Sequence, residues 1–226
     1  MKNKVLKAVG IFVVACASSG AFATVILDSS IVAGQAGNCA SLLSGAGTAC
    51  ANRAMTTKTK SGYTGIGIAG GRTGGEIDTD ETLTLTLSSS QVIKSLTFGV
   101  LFDGPEFGDW REIAQVTAGA NSIGTLTVDN ATTATWASAF GTWQVTALSD
   151  AVQSAGGVWQ ILNPFGSAAV DSLAFTALAS DLCGSGSCNN QSDYTLVEVA
   201  TVPEPGSIAL LALGLVGLGF ARRRVS

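Results

Sequence analysis

Residues 82–87 read Thr-Leu-Thr-Leu-Thr-Leu. A period of two places Leu83, Leu85 and Leu87 on one face and the threonines on the other. A strand half-buried in a sheet has that pattern and a helix does not. Further runs of alternating or apolar character follow at 92–102, 113–118, 124–128, 132–137, 142–147, 158–162, 172–178 and 194–201. In the run 92–102, Val92, Leu96, Phe98, Val100 and Phe102 share a face that Lys94 interrupts. A serine run at 88–90, Asp103-Gly104-Pro105, Asp129-Asn130, Gly156-Gly157 and Asn163-Pro164 read as turns between them. About nine strands at this spacing predict an all-β domain, a single β-sandwich of jelly-roll type over 24–201. Residues 28–75 are rich in Gly, Ala, Ser and Thr and are expected to be extended or irregular. Brief helical turns are expected at 40–43 and 149–155. No repeat of 20–50 residues is visible, which argues against a solenoid or propeller.

The chain has 226 residues and no histidine. That removes Ser-His-Asp and Cys-His triads, His-ligated zinc or haem, and His proton shuttles. Only 12% of residues are charged, with a net charge of -4. The charges are segregated: residues 24–203 hold 15 acids against 6 bases, while Lys2, Lys4, Lys7, Arg222, Arg223 and Arg224 sit at the ends. An acidic body is poorly suited to nucleic acid, whose affinity comes from basic side chains on phosphates.

Residues 1–23 combine three lysines, an apolar core at 8–17 too short to span a bilayer, and Ala21-Phe22-Ala23. The small residues Ala21 and Ala23 occupy the -3 and -1 positions of a signal-peptidase site, so the mature chain is expected to begin at Thr24. Val13-Val14-Ala15-Cys16 offers a lipobox as the competing signal. Either route exports the chain. Removal of 1–23 leaves Cys39, Cys50, Cys183 and Cys188, an even number bound for an oxidising compartment. Of three connectivities, Cys39–Cys50 with Cys183–Cys188 is favoured, because each pair flanks a short Gly/Ala/Ser stretch. Zinc is the alternative use of these thiols.

The last residues contain three elements in order. Val202-Pro203-Glu204-Pro205-Gly206 cannot enter a helix interior or a central strand. Residues 207–221 carry no charge and, as a helix, would extend about 22 Å. Arg222, Arg223 and Arg224 would stay on the cytoplasmic side as a membrane stop. Gly214, Gly217 and Gly219 suit a membrane helix better than a soluble one. VPEPGSIALLALGLVGLGFARRR resembles the PEP-CTERM sorting signal of Gram-negative bacteria. The resemblance covers 202–226. It implies reading by exosortase, a membrane-embedded transpeptidase-like enzyme, with Pro203, Glu204 and Pro205 as the motif, and removal of the apolar tail. It also implies a surface or matrix location alongside exopolysaccharide.

Two features bear on an activity of the body. Trp110, Trp136, Trp143 and Trp159 are candidates for a sugar platform, but Trp143 and Trp159 lie in strand patterns and read as core. Trp110 follows a turn and is the candidate sugar contact. Acids cluster at Glu76, Asp78, Asp80 and Glu81 and at Asp103, Glu106 and Asp109. Neither cluster has EF-hand spacing, so solvated loops are expected; structural calcium and a glycosidase pair are the sharper readings. No cofactor is expected. The chain reads as a non-catalytic exported protein, its partners being signal peptidase, exosortase, the inner membrane in transit and exopolysaccharide. A carbohydrate-binding module is the alternative, and a polysaccharide hydrolase a more distant one.

Overall fold

The computed structural model describes residues 23–33, 37–106, 109–179 and 192–202. The signal segment up to Phe22, Cys183, Cys188 and everything from Pro203 onward lie outside the described residues. Five short strands come first: β1 (Thr24–Leu27), β2 (Cys39–Ser41), β3 (Gly47–Ala51), β4 (Met55–Lys60) and β5 (Tyr63–Ile68). The long β6 (Leu83–Gly99) follows, then a separate hairpin of β7 (Asp103–Glu106) and β8 (Asp109–Arg111). The order continues with β9 (Ile113–Ala118), β10 (Ser122–Asn130), β11 (Thr133–Ser138) and β12 (Gly141–Ser149). It ends with β13 (Val158–Leu162), β14 (Ala169–Leu178) and β15 (Thr195–Val202). Among the described residues the only helical pieces are 3-10 turns at Ser29–Val32 and Leu43–Gly45.

All strands except β7 and β8 belong to one 13-stranded sheet. β6 closes it. Its first half pairs with β14 (Leu85↔Leu173) and β3 (Leu85↔Ala49), and its second half with β15 (Phe98↔Leu196) and β13 (Phe98↔Trp159). The path from β14 through β9, β10, β11, β12 and β13 therefore returns to β6, a barrel-like circuit with no edge. Outside the circuit β15 carries β5 and then β4 on one side and β1 near its C-terminal end.

The interior is filled by side chains of alternate residues. Leu83, Leu85, Leu96, Phe98, Val116, Leu126, Phe175 and Leu196 are fully buried. Each such side chain contributes roughly 1.5–3 kcal/mol relative to exposure. Phe98 lies at the centre, edge-on to Tyr194 with ring centroids 5.4 Å apart and tilted to Phe175 at 6.4 Å.

The fold corrects several sequence expectations. Segment 28–75 is not irregular: β2 to β5 lie there. Its small residues are packing residues. Ala49 is fully buried, and a side chain on Gly47 would meet the backbone carbonyl of Thr86 at 2.0 Å. The serines at 88–90 do not end a strand; β6 runs through them as an exposed bend of one 17-residue strand. The inward face resumes at Ile93 rather than Val92. A register shift opposite Ala200 and Thr201 skips Lys94, which turns outward so that its Nζ donates to Asn163 Oδ1 at 3.2 Å. Asp103-Gly104-Pro105 opens β7 instead of a turn, residues 39–41 are strand, and 150–155 form turns without a helix.

Candidate functional site

The junction between body and tail is built by the last strand. β15 ends at Val202, paired with Val92, and the next residue is Pro203, which has no N–H to continue a ladder. Thr201 is 1% exposed and lies between Thr24 of β1 and Ile93 of β6. The expected mature N-terminus therefore stands directly across the ladder from the residue that precedes the tail by two. A groove of about 310 Å³ is lined by Thr24, Ile26 and Thr201 together with Ser44, Ser88 and Gln91. This groove holds no charged side chain.

Strand direction places the other turns. β6 bends at residues 88–91 on the same side as the β9–β10 turn (119–121), the β11–β12 turn (139–140) and the β13–β14 connection (163–168). Pro164 O accepts from Trp136 Nε1 at 3.2 Å and from Ser138 Oγ at 3.4 Å, tying two of these turns together. These segments contain no acid and no base; the flanking strands bring Lys94 and Asp171. Phe140, Leu162 and Ile123 are 47%, 55% and 50% exposed here.

The opposite end carries the acids. The β5–β6 loop holds Glu76, Asp78, Asp80 and Glu81, and the hairpin region holds Asp103, Glu106, Asp109 and Glu112. Asp129 lies near the end of β10, and Asp150 and Asp193 lie in neighbouring connections. Several of these carboxylates point inward. Asp78, 2% exposed, accepts from Arg72 N at 2.6 Å, Thr73 N at 3.3 Å and Thr73 Oγ1 at 2.6 Å. The wrap requires glycine at 71, where φ is +65° and a Cβ would lie 2.0 Å from Asp78 Oδ2. Glu81 accepts from Arg53 at 2.9 Å and from Asp78 N at 3.1 Å; Arg53 also reaches Asp80 at 2.8 Å. Glu76 pairs with Lys58 at 2.8 Å, and Glu112 accepts from Phe102 N. Burial raises the Glu76 carboxyl above the usual carboxylate range against the opposing pull of Lys58. Burial likewise raises Glu81 and Asp103.

The expected solvated loop at 76–81 is thus largely internal, its charges met by N–H donors and two cations. Among the described residues no group of three or more Cys, Asp or Glu side chains is arranged to hold a metal ion. Trp136 and Trp159 are fully buried, and Trp159 Nε1 donates to Leu101 O at 2.9 Å. Trp143 is half-buried against the core. The backbone of Trp110 lies in β8; its side chain falls outside what is described. Cys39 and Cys50 face each other across β2 and β3 as a disulfide, with Cα atoms 4.1 Å apart. Sequence reasoning missed the pairing of Thr24 with Thr201, because nothing local in either strand signals its partner.

Among the described residues no helix is long and apolar enough to cross a membrane; residues 207–221 are not among them. Neither a curated protein nor a solved structure matches the chain. A family model, the PEP-CTERM protein-sorting motif, matches residues 201–224. Its first two residues are the last two of β15, so the match begins where the folded body ends. The chain therefore carries a PEP-CTERM protein-sorting motif, the tag that implies export and exosortase-dependent sorting to the surface.

Proposed function

We propose that this is a non-catalytic surface or extracellular-matrix protein, delivered by signal peptidase and exosortase and lodged among exopolysaccharide. The observation that carries the reading is the coincidence of boundaries. The ladder starts at Thr24, directly after Ala23, and stops at Val202, directly before Pro203-Glu204-Pro205. A body that closes on itself between two processing signals keeps its core when both are removed.

In this reading residues 1–23 form the signal helix and 207–221 a separate membrane helix, stopped by Arg222, Arg223 and Arg224 and lost on maturation. The closed sheet serves as a jelly-roll-like sandwich, its inner face wrapped around one core. Cys183–Cys188 forms the second disulfide. A structural role without a cofactor is supported by the acids themselves: Asp78, Glu81 and Glu76 are engaged with backbone donors, Arg53 and Lys58.

The test replaces Pro203, Glu204 and Pro205 with alanine in the full chain. Unprocessed protein is expected to accumulate in the inner membrane. A variant that still reached the surface with its C-terminus trimmed would overturn the sorting reading.

A further inference from the structure

The two ends of the barrel differ in charge, and both processing signals leave from the same one. We propose that the uncharged end, formed by the turns at 88–91, 119–121, 139–140 and 163–168, rests on a phospholipid bilayer while the precursor awaits processing. The acidic end then points away. The inference rests on reading 207–221 as a membrane helix.

Chain length supplies the first argument. Only residues 203–206 separate β15 from the apolar run, at most about 14 Å fully extended. The body is therefore held within a short reach of the bilayer, and the end that bears Val202 must face it. Charge supplies the second. A bilayer with anionic lipid repels carboxylates over about a Debye length, ~8 Å at physiological salt. The acids of the β5–β6 loop and the β7–β8 hairpin would be unfavourable there, and they sit at the far end. The turns near Val202 hold none; the strands beside them bring one cation, Lys94, and one exposed carboxylate, Asp171, so this end is close to neutral while the far end is strongly acidic. The third argument is the apolar exposure. Phe140 and Leu162 project from this end, Phe140 beside Gly166 of the 163–168 turn, whereas the exposed apolar side chains toward the acidic end, Leu148 and Val152, flank Asp150 in the sequence. An aromatic and an aliphatic side chain next to a lysine suit a headgroup boundary.

The full chain is reconstituted in vesicles of phosphatidylethanolamine and phosphatidylglycerol, with the photo-crosslinker p-benzoylphenylalanine at one site per variant. Phe140 and Leu162 report on the uncharged end, and Thr132 and Asp150 on the acidic end. All four are exposed. β12 separates Phe140 from Asp150 by about 30 Å. Lipid adducts are expected at 140 and 162 and not at 132 or 150. A fifth variant, at Leu213, reports on insertion of the tail. Adducts at 213 without adducts at 140 or 162, or equal adducts at both ends, overturn the orientation and leave the anchor reading standing. No adduct at 213 overturns the anchor reading and the orientation with it.

Discussion

The two ends of this barrel handle polar groups in opposite ways. At the acidic end, loops wrap carboxylates: Asp78 is enclosed by Arg72, Thr73 and Gly71, and Glu112 takes the N–H of Phe102. The same end holds Val100 at a φ of 61°, a costly conformation for a β-branched residue, fixed by its N–H bond to Gly156 O. At the uncharged end, connections are short and made mostly of Ser, Gly, Ala and Asn, and the chain enters and leaves through paired threonines. Stability is therefore concentrated at one end and access at the other. Loops that must order buried charges are sensitive to single changes, and turns that only reverse direction are not.

Substitutions across the two ends test that contrast. The largest effect is expected for Asp78→Ala, which strands two backbone N–H groups and a hydroxyl in a buried loop. The loss should be about 3 kcal/mol by denaturant titration of the refolded body. A loss below about 1 kcal/mol would mean that solvent reaches those donors. Replacing Cys39 and Cys50 together by serine should cost about 2–3 kcal/mol, because the bridge closes a short loop between β2 and β3. A smaller and pH-dependent effect belongs to Glu76 and Glu81. Burial raises both carboxyls, so the folded state holds their protons more tightly than the unfolded chain. Between the ordinary and the raised values the unfolded state binds fewer protons, so stability falls as pH rises through that window. Thermal melts should thus show a higher Tm at about pH 5 than at pH 7. Glu76→Gln with Glu81→Gln should flatten that slope; an unchanged slope would assign it elsewhere. The smallest effect is expected for Phe140→Ser, within about 0.5 kcal/mol, since that ring is exposed at the uncharged end.

Much of the fold was legible in the sequence, and the gaps have physical causes. The strands from Ile113 to Leu178 alternate strongly because one face of each meets the core, and their expected positions agree with β9 to β14 within a few residues. β2 to β5 escaped notice because Ala, Gly and Thr give little alternation. They are held by pairing with distant strands, as Ala49 is with Leu85. The serines of β6 look like a turn locally, and pairing of Val92 with Ala169 overrides that preference. The tail was legible because its order of prolines, apolar run and arginines is read without a fold. The acids misled for the converse reason. A cluster of carboxylates looks the same in sequence whether it faces water or, like Asp78, a nest of backbone donors.

The ladder of the body runs from Thr24 to Val202, so the body is expected to keep its core without either flanking signal. Intact-mass analysis of the protein released from cells tests this most directly. One species is expected, beginning at Thr24 and ending between Val202 and Gly206, with its cysteines oxidised. A released species that keeps residues 207–226, or one whose C-terminus lies inside β15, would contradict it.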